Sequence, residues 1–170
     1  DRTFYSNLGF SIKGIARAVF SYIVHHGNIS GGGSTITQQL AKNMLLTQKQ
    51  TFGRKIAELF MAVEINRVYS KKDILTMYLN NSYFANGVWG VEDASLKYFG
   101  KSASEITLGE AAILVGMLKG PGIYNPIDHL DNATARRKTV LSVLVSQDVI
   151  TKEQAAQEEA VPIESMLNDA

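Results

Sequence analysis

Four times along this sequence a serine or threonine is followed, three residues later, by a side chain able to return its cap: Thr35 with Gln38, Ser70 with Asp73, Thr107 with Glu110 and Thr151 with Gln154. An N-cap hydroxyl accepts from the backbone N–H three residues on, and a Glu or Gln there reaches back to the N–H of the cap, so each pattern marks a helix start. Behind these starts, apolar residues recur at helical spacing and predict helices over about 50–69, 71–80, 90–98, 108–118, 132–147 and 152–160. Ser11 caps a further expected helix, with Ile12, Ile15, Ala16, Val19, Phe20 and Ile23 on its inner side. Alternating Val/Ile/Thr runs are lacking, so strand content is expected to be minor and the fold class mainly α. Breaks are expected at HHGNISGGG, at Asn86-Gly87, at Gly100 and over GPGIYNP, residues 120–126.

With 170 residues, 45% of them hydrophobic, the chain suffices for one domain over 1–170 with a sizeable core. A net charge of +1 argues against a general nucleic-acid binder. Locally the balance differs, because Lys42, Lys49, Arg54 and Lys55 face only Glu58, and the partner implied is a discrete anion such as a phosphate. Without cysteine there is no disulfide or thiolate-metal site. No run approaches 18 apolar residues and no signal peptide is present. The opening DRTFYSNLGF, without an initiating Met, reads as a piece of something longer. His25 and His26 point apart on a helix and read as plain surface residues, not metal ligands.

The densest polar chemistry runs from Gly31 to Glu58. A glycine triplet leads into Ser34 and Thr35, where backbone N–H groups at a helix start attract anions. Gln38, Gln39, Lys42 and Asn43 then fall within two turns, more amides and charge than an ordinary amphipathic helix carries. In RKIAE, Arg54 and Glu58 stack at i,i+4 with Lys55 beside them. Leu59, Ala62 and Ile65 continue that side while Ile56, Phe60 and Val63 cover another, which predicts a largely buried helix with its polar patch in the first turn. Taken by itself, RKIAE reads more readily as a solvated ion pair worth a few tenths of a kcal/mol. Tyr78, Asn80 and Tyr83, at a helix end entering a glycine-containing turn, suit either a sugar subsite or plain helix termination. Arg136 and Arg137 are read as opening a helix, where cations oppose the dipole and call for a compensating anion. Asp128 and Asp131 serve that need equally well.

In order, DRTFYSNLG, GGSTITQQLAKN, RKIAE, KKDILTMYLN and RRKTVL resemble the peptidoglycan glycosyltransferase domain of bifunctional penicillin-binding proteins and monofunctional cell-wall transglycosylases. GGSTITQQ followed by RKxxE is the specific part of the match. The resemblance implies a lysozyme-like helical fold with a large lobe and a smaller, mobile, membrane-proximal lobe. It implies polymerisation of lipid II, in which the 4-hydroxyl of an incoming lipid II attacks the reducing-end sugar of a glycan carried on undecaprenyl pyrophosphate, with inversion to a β-1,4 linkage. By resemblance Glu58 is catalytic; Lys42, Arg54, Lys55 and Arg136, with Arg137, bind phosphate; and Ser34, Thr35, Gln38, Gln39, Asn43 and Tyr83 line the substrate groove. No cofactor is required, and a divalent cation, Mg or Mn, is allowed at the pyrophosphate.

Lipid II and the growing glycan are the implied partners, together with the membrane surface at the extracytoplasmic face of a bacterial cell membrane. An N-terminal membrane anchor and a C-terminal transpeptidase domain are implied outside the chain. Phe10, Ile12, Val19, Phe20, Tyr22 and Ile23 are candidates for lipid-facing surface or for ordinary core. The first motif departs from the family pattern: Asp1, Phe4 and Gly9 fit, the general-base Glu is expected immediately before Asp1, and Asn7 stands where the family has His. A missing base costs about 10²- to 10⁴-fold in rate. Two rival readings remain, a lysozyme-like glycan-cleaving enzyme, which needs carboxylates and no cationic clamp, and a noncatalytic lipid-pyrophosphate binder.

Overall fold

The computed structural model describes residues 35–44 and 52–168, without the side chains of Phe52 and Arg54. The expectations for Asp1, Phe4, Asn7 and Gly9, for Phe10, Tyr22 and the Ser11–Ile23 helix, for His25 and His26, for the glycine triplet with Ser34, for Lys49 and for the Arg54 side chain lie outside those residues. The chain divides into two compact units, Asp1–Asn81 and Ser82–Ala170.

In the first unit, α1 (Ile36–Met44), α2 (Phe52–Val68) and α3 (Lys71–Asn80) follow one another. α1 packs on both α2 and α3. Leu40, Ala41, Ala62, Ile65 and Ile74 form the core, with Ile36, Met61, Leu75 and Met77 around them. Ala41 and Ala62 are fully buried, and side chains that small let the helix axes approach closely. α2 departs from the sequence expectation. Among the described residues only one of its sides lies in the core; Ile56, Phe60 and Val63 on the other are 40%, 73% and 39% exposed. A helix of 17 residues offers two apolar sides, and helices of 9 and 10 residues cover one. Ser70 caps α3 through its hydroxyl, which accepts from the Asp73 N–H at 3.1 Å.

In the second unit, α4 (Val91–Phe99), a 3-10 turn (Ala103–Glu105), α5 (Leu108–Met117), α6 (Pro121–Tyr124), α7 (Leu130–Ser146), α8 (Lys152–Glu159) and a closing 3-10 turn (Ile163–Ser165) pack around α5. α5 is the most apolar of the described helices and is buried on nearly every side. Ile113, Leu114 and Met117 face Phe84, Tyr98, Phe99, Ala133 and Ile163, while Ala112 faces Leu141 and Ala155. Complete capping boxes open α5 at Thr107/Glu110 and α8 at Thr151/Gln154. Gly116 sits where α5 meets α7, and a Cβ there would lie 2.7 Å from Arg136 Cγ.

Two expectations change here. GPGIYNP was expected to be a break, yet Pro121 starts the single-turn helix α6; its fixed φ and missing N–H suit the first helical position. α7 begins at Leu130, so Arg136 and Arg137 stand in its second turn and do not open it. The helix dipole acts within the first turn only, so the earlier start leaves Arg136 and Arg137 with no dipole for an anion to compensate. Among the described residues there is no strand, and one isolated bridge joins Tyr83 to Trp89. The mainly α fold expected from the capping signals is the fold found.

Candidate active site

The polar residues of the first unit sit on the packed pair α1 and α2. Thr35 and Gln38 close a reciprocal box: Gln38 N–H donates to Thr35 Oγ1 at 3.1 Å and Thr35 N–H donates to Gln38 Oε1 at 2.9 Å. Both residues are 2% exposed. The carboxamide oxygen of Gln38 is therefore spent on the helix start. Gln39, half-buried, accepts at Oε1 from the Tyr78 hydroxyl of α3 at 3.0 Å. Lys42 and Asn43 follow one turn later, Lys42 half-buried and Asn43 exposed, with Asn43 Nδ2 at 3.5 Å from the Asn81 carbonyl.

On α2 the buried group is Glu58, 2% exposed. Its Oε1 accepts from Lys55 Nζ at 2.9 Å, and the Lys55 side chain retains 21% exposure. This ion pair is i,i+3; the i,i+4 relation to Arg54 rests on a side chain outside the described residues. A buried carboxylate is tolerated because the ammonium compensates its charge. No acidic residue lies in the first turn of α1 or of α2, so the positive ends of both helices are uncompensated from within. Donors and cations at the helix starts can stabilise negative charge, and on α2 Glu58 is a carboxylate held by Lys55. Tyr78, singled out for a sugar subsite, is 6% exposed and joins the constellation through Gln39.

Tyr83, Arg136 and Arg137 belong to the second unit. Tyr83 is 38% exposed and lies against Trp89, with ring centroids 4.9 Å apart. Arg136 is half-buried, donates through Nε to the Gly116 carbonyl at 3.3 Å and places its guanidinium 5.6 Å from the centre of the Tyr124 ring. Arg137 is buried, and its donors go inward, Nη1 to the Val161 carbonyl at 2.8 Å and Nη2 to the Glu159 carbonyl at 3.3 Å. Burial lowers its pKa from the ordinary guanidinium value, opposed by the nearby Glu159, Glu158 and Glu164. Arg137 thus ties α7 to the end of α8 and the segment after it. Among the described residues no group of three or more His, Asp or Glu is placed to hold a metal ion, and no helix is long and apolar enough to cross a membrane.

The family model for the transglycosylases matches residues 1–145. Penicillin-binding protein 2a of Streptococcus pneumoniae is 54% identical over 169 residues, 99% of this chain and 22% of that protein. Penicillin-binding protein 1F of Bacillus subtilis is 43% identical over 91% of the chain and 22% of its own length. Penicillin-binding protein 1A of Escherichia coli is 42% identical over 91% of the chain and 18% of its own length. The crystal structure of penicillin-binding protein 1A from Haemophilus influenzae superposes with a TM-score of 0.52 at 27% identity, covering 75% of this chain and 16% of that one. The chain spans about a fifth of the length of the curated relatives it matches. On this match, and on the identities of its relatives, the chain belongs to the transglycosylase family found in class A penicillin-binding proteins.

Proposed function

We propose that this chain is the glycan-polymerising part of a longer cell-wall enzyme, joining lipid II units into β-1,4 glycan with inversion and releasing undecaprenyl pyrophosphate. The observation that carries the reading is Glu58, buried and held by Lys55 at 2.9 Å on a helix packed against α1. In the proposed step the acceptor 4-hydroxyl oxygen bonds to the anomeric carbon from the face opposite the pyrophosphate. The anomeric C–O bond to phosphate breaks, and the hydroxyl proton passes to the general base that the family places immediately before Asp1. Negative charge then grows on the leaving pyrophosphate, where positioned cations and N–H groups lower the barrier. Lys42, Arg54 and Lys55 take that role, Glu58 orients them or assists at the leaving group, and Ser34, Thr35, Gln38, Gln39 and Asn43 contact the substrate. Tyr83 and Arg136 carry the family's substrate-binding roles within the same proposal, as does Arg137, although its donors serve the fold. A divalent cation at the pyrophosphate is allowed and not called for.

The substrate sets the location. Holding lipid II out of a bilayer costs about 0.8 kcal/mol per CH₂ of its tail, so the enzyme works at the membrane surface, on its extracytoplasmic face, with an anchor and a transpeptidase as the expected companions in the whole protein. The test is Glu58→Gln in the full-length protein, assayed for glycan formation from lipid II. Loss of about 100-fold or more is expected from a group acting in proton transfer or charge placement. Full activity in the variant removes Glu58 from the mechanism, and glycan cleavage without a lipid-linked substrate points instead to the hydrolase reading.

A further inference from the structure

The loop from Ser82 to Gly90 is built more firmly than a connection requires. Gly90 N–H donates to the Ser82 carbonyl at 2.8 Å, Phe84 N–H to Val88 at 2.9 Å and Val88 N–H to Ala85 at 3.0 Å. The Gly87 N–H donates to the Tyr83 hydroxyl at 3.1 Å. Beneath, the buried Tyr98 hydroxyl donates to the Phe84 carbonyl and accepts from Asn86 Nδ2 at 3.0 Å. This network holds Ala85 and Asn86 at φ of 61° and 52°, the left-handed region that side-chain-bearing residues avoid and that persists where surroundings over-determine it. What the loop displays is Trp89, the only tryptophan of the chain, 59% exposed, with its ring tilted 43° to that of Tyr83. Rings left in water add little to the core, so the stiff mounting points to a ligand.

We infer that Tyr83 and Trp89 form a stacking platform for a pyranose ring of a β-1,4-linked N-acetylhexosamine chain; the choice of sugar rests on the function proposed above. A pyranose presents C–H groups on one face and hydroxyls at its rim, and flat aromatic surface with a polar tip suits it. A lipid surface fits less well. Residues 82–96 contain no Lys or Arg, and Glu92 and Asp93 open the helix that follows Trp89, which opposes approach to anionic headgroups.

The single tryptophan makes the platform its own reporter. The test titrates the 170-residue chain with the uncharged, lipid-free tetramer of β-1,4 N-acetylglucosamine. A saturable change in tryptophan emission is expected, weakened about 3- to 10-fold by Tyr83→Ala. Calorimetry, which needs no fluorophore, should show the same order of loss for Trp89→Ala and recovery in Trp89→Tyr, with an unchanged thermal midpoint in both. Unchanged emission at high tetramer concentration, or equal affinity in Trp89→Ala, overturns the platform. Emission that responds to phosphatidylglycerol vesicles and not to the tetramer overturns it in favour of a lipid contact. The tetramer carries no phosphate, so failure here leaves the Glu58 test standing, and failure of that test leaves tetramer binding to be read on its own.

Discussion

Replacing Arg137 by methionine separates a residue that holds the fold from one that holds a substrate. Arg137 is 2% exposed, and its guanidinium spans two carbonyls, Val161 at 2.8 Å and Glu159 at 3.3 Å. Hydrogen bonds from charged donors are worth about 1.5–3 kcal/mol each. Against this stands the cost of burying the cation, which methionine removes, and a buried Nε without a partner. The net loss expected for Arg137→Met is about 2–3 kcal/mol, because two inward-facing carbonyls are left without donors. At about 2–4 °C per kcal/mol for a domain of this size, the thermal midpoint should fall by roughly 5–10 °C in circular-dichroism melts. Arg137→Lys should recover only part of this, since an ammonium cannot reproduce the forked geometry. A midpoint within about 1 °C of the parent, with a loss of affinity for a pyrophosphate lipid, would refute the structural role and return Arg137 to the ligand.

Gly116→Ala should cost about 1–3 kcal/mol in urea unfolding, because the new Cβ would lie 2.7 Å from Arg136 Cγ, an atom too near the backbone of α7 to swing away; an unchanged midpoint would mean that α5 and α7 are not held this close. Tyr98→Phe should cost about 1–3 kcal/mol by leaving the Phe84 carbonyl and Asn86 without their partner. Burial raises the Tyr98 phenol above its ordinary 10.0, against the opposing hydrogen bond from Asn86. A raised pKa means the folded state holds this proton more tightly, so the stabilisation is complete below pH 10 and is lost as pH rises through the folded value. Alkaline unfolding curves should therefore be shallower for Tyr98→Phe than for the parent, and curves of equal slope would exclude this phenol as their source.

The helix starts were legible because capping is local chemistry. Thr35, Ser70, Thr107 and Thr151 each find their partner within one turn, whatever the rest of the chain does. The exposed side of α2 was not legible, since Ile56, Phe60 and Val63 carry the same spacing as a buried stripe, and which stripe α1 and α3 cover is set by tertiary packing. Arg136 and Arg137 show a similar limit. They are adjacent and chemically identical, but the hundred degrees between them on α7 turns one toward Gly116 and Tyr124 and the other toward the carbonyls at and just past the end of α8. Which way each points is a tertiary fact. Trp89 is not legible because one exposed aromatic has no periodicity to announce it; its signal is the glycine-bearing turn that mounts it beside Tyr83.

For Glu58 the sequence did hold a usable signal. Positions 58, 62 and 65 share one helical face, and Ala62 and Ile65 on that face are core. A carboxylate on an apolar stripe must be buried if the stripe is, and a buried carboxylate needs a cation within reach, which Lys55 and Arg54 both offer from one turn away. Spacing alone could not choose between i,i+3 and i,i+4, as both are neighbours on a helix. Stability does not explain why the charge is there. A buried ion pair is often no better than a well-packed apolar pair, whereas losing one partner is costly, so a fold selected only to persist gains little from Glu58 where a leucine would pack. Under the function proposed above, the pair supplies what a departing pyrophosphate needs, a cation beside a fixed carboxylate near the start of a helix, and that proposal accounts for a burial that stability alone does not.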